Sequence, residues 1–291
     1  MINDTYPDEL IERLGVHMLS LVKCCFAVVL STNYYFPLML TLEHLTMGSK
    51  NEYISMCYAE SLYWKNDLFQ LDPLLHNINE LKKLCRLFPI DCGYSYEPLF
   101  FIMRFYCHSL ARLSSIYAWN DMQQCCTIAS ELKEIYESYP VFDFALPYAE
   151  AVHNEHLAEL QSSDNIITDR CNAINSIIYD IFIKQDMNEA ILNLYGRILL
   201  NEINAADTLP AVERKVVLEK LFYTLKSELS ALHYAKALHT LVLKLNDDVD
   251  KEEVLRDLYI LHVTFPNNYE IKDSLIRATG AFRESKKIPE S

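Results

Sequence analysis

Glycine is nearly absent from this chain, with 5 residues in 291. All-β chains need glycine for tight turns, and phosphate loops need it for close backbone approach, so both classes are disfavoured at once. Positive charge is also short: 26 Lys and Arg stand against 40 Asp and Glu, for a formal net charge of −14. Such a field repels polyphosphate, so no nucleic acid is expected as a partner, and a basic protein segment suits it better. Long hydrophobic runs are missing too. The most apolar stretch, Val16 to Leu40, is interrupted by Lys23, Ser31, Thr32, Asn33 and Pro37. Nothing in it approaches the roughly 20 apolar residues of a spanning helix, so no membrane partner is expected. The acidic opening, with Asp4, Asp8, Glu9 and Glu12, lacks the positive region of a signal peptide.

Recognisable chemistry is equally scarce. There is no CxxC, no HExxH, no Gly-rich phosphate loop and no nucleophile motif. No cofactor and no metal are expected. His153, Glu155, His156 and Glu159 have spacings at which one helix face can hold a metal, but a solvated polar face accounts for them equally well. The nine cysteines include adjacent pairs at Cys24-Cys25 and Cys125-Cys126 and lie within apolar helical phrases. An odd count without metal spacing reads as reduced thiols packed as small hydrophobes, and so as a cytoplasmic chain.

What is present is a repeat. A five-residue phrase starts at Tyr58, Tyr106, Tyr148, Tyr195 and Tyr234, at steps of 48, 42, 47 and 39 residues. Each phrase has an aromatic at i and small or aliphatic residues at i+3 and i+4, which on a helix form one buried stripe. A second phrase follows 23 to 26 residues after each tyrosine: Leu81/Leu84, Leu132/Ile135, Ile174/Ile177, Leu218/Leu221 and Leu258/Leu261. Pro89, Pro140 and Pro266 close three of these, and proline cannot continue a helix. Each unit therefore reads as helix A, turn, helix B, stop. Such hairpins bury themselves against their neighbours, so chain length is not limited by a single core.

Local signals place the boundaries. Asn33 to Pro37 reads as the break in an N-terminal helical pair, and Phe88-Pro89-Ile90-Asp91-Cys92-Gly93 as a turn. Thr168 reads as an N-cap, Asp207-Thr208-Leu209-Pro210 as a helix start, and Asn246 to Asp250 as a polar turn opening helix B. Gly196 inside a helix costs roughly 1 kcal/mol against alanine, which implies close approach of a neighbouring helix backbone. The last helix is expected to end near Gly280. The resulting organisation is 1–50 as N-terminal capping helices, 51–280 as five hairpins plus a C-terminal capping helix, and 281–291 as a tail.

With both phrases placed, the units resemble tetratricopeptide repeats. Val254, Leu258, Leu261 and Pro266 occupy the spacing of that family's second helix, and Ile128, Leu132, Ile135 and Pro140 repeat it. Tyr234 and Ala237 resemble its first-helix aromatic and small positions. The family period is 34 residues, whereas these units run 39 to 48. The resemblance implies an all-α, right-handed superhelical stack of helical hairpins, a TPR-like α-solenoid whose A helices line a groove for a peptide, an extended segment or a partner subunit. It implies no chemistry.

Within each A helix, positions i+2 and i+5 fall away from the buried stripe. The groove candidates are thus Glu60, Tyr63, His108, Glu150, His153, Arg197, Lys236 and His239. A non-enzymatic scaffold or adaptor binding another protein or peptide is the expected function, with self-association through the apolar N-terminal region as a further expectation. Two alternatives stand beside it. One is a peptide- or ligand-sensing regulatory subunit of the same fold. The other is an RNA-cleaving enzyme, because Arg256 and His262 have the Arg-x5-His spacing of the all-helical HEPN families.

Overall fold

A computed structural model describes residues 8–27, 32–49, 51–65, 71–87, 98–163 and 166–286. These residues form thirteen α-helices and no strand: α1 Asp8–Ala27, α2 Thr32–Ser49, α3 Glu52–Lys65, α4 Leu71–Leu87, α5 Pro98–Tyr117, α6 Met122–Ser138, α7 Phe142–Ser162, α8 Asp169–Lys184, α9 Glu189–Ala205, α10 Thr208–Leu225, α11 Glu228–Lys244, α12 Asp248–Thr264 and α13 Tyr269–Ser285. The helices pack in a repeat-like arrangement compatible with an α-solenoid. The chain divides into two compact units. The first holds residues up to Ile116 together with Ser130–Tyr148, and the second holds Tyr117–Ala129 and Ala149 onward.

In the first unit α3 is the central element, packed against α1, α2 and α4. Leu42, Ile54, Leu81, Leu84 and Ile102 are fully buried there. Phe100 meets Phe144 at a ring separation of 4.8 Å, and Tyr136 meets Tyr148 at 5.8 Å. In the second unit, α9, α11 and α13 pack successively on one another, while α8, α10 and α12 each pack on neighbours from that row. Its core includes Phe182, Ile178, Ile191, Leu192 and Tyr234.

All five phrase tyrosines are buried, on α3, α5, α7, α9 and α11, and so are the residues three and four positions after each. The reason for tyrosine rather than phenylalanine is visible at two of them. The Tyr106 hydroxyl donates to Glu131 on α6 at 2.6 Å, and Lys82 on α4 reaches the same carboxylate at 2.6 Å. The Tyr234 hydroxyl donates to Asp257 on α12 at 3.0 Å, with Lys215 on α10 at 3.8 Å from that carboxylate. In each case a carboxylate from the following helix satisfies the buried phenol, and a lysine from the preceding helix offsets the carboxylate's charge. Burial first, then the adjacent carboxylate, holds both phenols well above their ordinary range.

The second phrase is less regular. Leu81, Leu84, Leu258 and Leu261 are buried as the stripe requires, but Ile177 is 37% exposed and Leu221 is half-buried. In these two hairpins the buried residue is the next one, Ile178 or Phe222. Ile135 behaves the same way although its unit has the closing proline, being half-buried with Tyr136 buried, so these three B helices bury positions four apart where the first and last bury positions three apart.

Helix ends follow local chemistry. Thr168 caps α8 by accepting from the Cys171 amide, and Asp247 caps α12 by accepting from the Val249 and Asp250 amides. Asp207 precedes α10 without a side-chain cap bond. Pro140 and Pro266 each stand two residues past a helix end, whereas Pro89 and the expected 88–93 turn lie outside the described residues. Two expectations need correction. The chain is not broken over Asn33–Pro37: α2 starts at Thr32 and Pro37 is its sixth residue. There the carbonyl that loses its partner belongs to the first turn, which lowers the cost of the missing amide donor. Nor does the last helix end at Gly280. It continues to Ser285 through strong helix formers, with Lys286 seated 4.3 Å over the Phe282 ring.

Candidate functional site

Three of the eight groove candidates meet in one cleft of the first unit. Glu60 and Tyr63 come from α3 and His108 from α5, and with Phe101, Arg104 and Phe105 they line a cavity of about 490 Å³. The helical period sets this: Glu60 and Tyr63 lie on one face of α3, and Phe101, Arg104, Phe105 and His108 lie three to four apart along α5. Tyr63 packs on Phe105 at 5.3 Å and on His108 at 6.3 Å, and the Arg112 guanidinium lies 6.0 Å from the Tyr63 ring. Glu60 pairs with Lys23 of α1 and accepts from the Trp64 indole at 3.2 Å. Arg104 pairs with Asp143 at 3.0 Å. Burial, reinforced by Arg104 and opposed by Asp143, lowers His108 to about 4, so the imidazole is neutral at pH 7. The cleft is therefore an aromatic slot with a neutral histidine and paired charges at its edge.

The other five candidates lie in the second unit. Arg197 is exposed, whereas Glu150, Lys236 and His239 are half-buried. Lys236 pairs with Glu270 of α13 at 2.6 Å. Burial, then Arg277, lowers the pKa of His239, against the pull of Asp273. His153 is only 3% exposed, which corrects its assignment to a free face. The phase argument allows for one covered face, but the face of α7 that carries His153 is covered as well. Burial, then Arg197, lowers His153 to about 4. His233, a residue without a place in the sequence pattern, is lowered to about 4 by burial, then Lys236 and Arg197. Its ring fills the space over Gly196, where a Cβ would lie 2.5 Å from Cδ2. The close neighbour of Gly196 is thus a side chain, not the helix backbone the sequence implied.

The polar face expected around His153 and His156 is not solvated. His156 is fully buried with Nε2 3.0 Å from Glu202, whose side chain is also fully buried. Asn175 donates to the other Glu202 oxygen at 3.0 Å, and Arg214 Nε donates to it at 2.5 Å. Arg214 also donates to Asn172. Glu155 and Glu159 hold Arg170 at 2.7 and 3.4 Å. Sequence reasoning missed this network because its members are 12 to 46 residues apart. The one local sign was Glu202 on the apolar stripe of α9, four residues after Ile198 and three after Leu199.

The remaining candidates are placed as follows. No group of three or more His, Cys, Asp or Glu side chains suited to a metal occurs among the described residues. Burial raises the Cys57, Cys85 and Cys125 thiols to about 11, 12 and 12, which makes them poor nucleophiles at neutral pH. On α12 Arg256 is exposed, whereas the His262 Nδ1 is buried and lacks a protein partner. Six residues apart, they lie about 120° apart around the helix. No helix among the described residues is long and apolar enough to cross a membrane. On α1, Leu14, Val16 and Leu21 are exposed, leaving apolar surface where self-association was expected.

Neither a family model, nor a curated protein, nor a solved structure matches the chain.

Proposed function

We propose that this chain is a non-enzymatic interaction module, a TPR-like α-solenoid that binds a peptide segment of a partner protein through its A helices. One observation carries the reading: Glu60, Tyr63 and His108 converge with Phe101 and Phe105 on the cleft of about 490 Å³ between α3 and α5. Aromatic side chains in a concave slot offer large contact area at low entropic cost, and the charged rim selects what enters. The paired state of Glu60 and Arg104 favours a partner that inserts an apolar side chain over one that must compete for either charge.

Photo-crosslinking from the cleft tests this. With a benzophenone amino acid at Phe105, illumination in the native cell is expected to yield one dominant adduct with a second protein. An adduct only with the chain itself, or none, would overturn the reading.

A further inference from the structure

A second cleft lies in the other unit, between α8 and α10, with the buried Tyr195 of α9 among its lining residues. Its apolar half holds Ile183, Met187 and Leu221 in about 230 Å³. Its polar half holds Asn175, Asp180 and Arg214 in about 390 Å³. Tyr179 and Tyr195 line both halves, with their rings 5.6 Å apart, so the two adjoin.

Asn175 is the informative group. It is 8% exposed, and its Nδ2 is fixed by the bond to the buried Glu202 carboxylate. A carboxylate only accepts, so the amide cannot turn over, and the Oδ1 is left as an acceptor without a protein partner. A buried acceptor of this kind costs about 1–3 kcal/mol unless something donates to it. Arg214 lines the same half, but its Nε and Nη2 donate to Glu202 and Asn172, its charge is paired with the Glu202 carboxylate, and it makes no bond to this oxygen. Asp180 adds an exposed carboxylate on the same side. At the opposite end Lys220 lines the apolar half. A positively charged donor is therefore favoured at the Asn175 end and disfavoured at the other.

The backbone also shapes this opening. Asp186 and Met187 both have left-handed conformations, with φ of 51° and 57°. The Met187 amide bonds back to the Phe182 carbonyl at 3.0 Å, which closes α8 and sets Met187 at the lip.

We infer that the α8–α10 cleft binds a linear peptide segment carrying a large apolar side chain next to a lysine or arginine. The apolar side chain enters between Tyr179 and Leu221, and the cation donates to Asn175 Oδ1 and Asp180. The net charge of −14 draws such a segment in. This site is on B helices and is independent of the α3–α5 cleft.

The test uses the full chain with methyl-labelled Ile and Met, titrated with N-acetyl-phenylalanyl-lysine amide and, separately, with N-acetyl-phenylalanyl-glutamate amide. Saturable shifts at Ile183 and Met187 are expected with the lysine peptide, with binding at least about tenfold weaker for the glutamate peptide. Asp180→Lys and Ile183→Glu, both at exposed positions that leave the fold intact, should each weaken the lysine peptide by about tenfold. Asn175→Leu should do the same. Shifts that never saturate, equal affinity for the two peptides, or binding unchanged in Asp180→Lys and Ile183→Glu would each overturn the proposal.

Discussion

The His233 ring and Gly196 define each other. A methyl group at 196 would lie 2.5–2.7 Å from three atoms of that buried ring, so the ring must shift to admit it. Gly196→Ala is expected to destabilise the chain by about 1–3 kcal/mol through overpacking, although alanine is the better helix former by roughly 1 kcal/mol. Urea denaturation checks this, and Gly196→Ala combined with His233→Ala should cost less than the sum of the two single changes. The same histidine gives the fold a pH dependence. His153 and His233 have folded values near 4 against an ordinary 6.5, because burial opposes the imidazolium. Between those values the unfolded chain binds more protons, so stability is complete above pH 6.5 and is lost as pH falls toward 4. Each should remove about 2 kcal/mol between pH 7.5 and pH 5, and His233→Gln should shrink the shift in urea midpoint.

At the level of the helix, the caps give a sharp contrast. Asp247 accepts from two amides of α12, whereas Asp207 makes no cap bond to α10. Asp247→Ala should therefore cost about 1 kcal/mol and Asp207→Ala only a few tenths, both measured by thermal denaturation. The A helices were legible in the sequence because their tyrosines and the residues three and four later obey one helical period, and all are buried. Thr168 and Asp247 were legible for a similar reason: capping is decided by the next three residues. The B helices of the three middle hairpins were not, because nothing within Leu132–Ile135, Ile174–Ile177 or Leu218–Leu221 reveals that the buried partner lies four positions on and not three. Tyr106→Phe should cost about 1–2 kcal/mol by leaving Glu131 short of a donor, although the phenylalanine fits the same stripe.

Across the whole chain, the candidate site was only partly readable. Glu60, Tyr63 and His108 were reachable from helical phase alone, but their convergence depends on how α3 meets α5, and no local pattern encodes that. His153 went wrong for the same reason, since a one-faced helix was the premise. Glu202, the centre of a buried polar network, gave no motif because its partners come from α7, α8 and α10. The central claim is that the α3–α5 cleft binds a partner protein. Its most direct test is quantitative affinity capture from the native organism with three chains in parallel: wild type, Tyr63→Ala, and Leu243→Ser as an exposed control on α11. The account predicts a stoichiometric protein retained by wild type and by Leu243→Ser, and reduced about thirtyfold in affinity by Tyr63→Ala, as loss of a central aromatic anchor implies. Equal recovery with Tyr63→Ala, or no stoichiometric protein with any of the three, would contradict it.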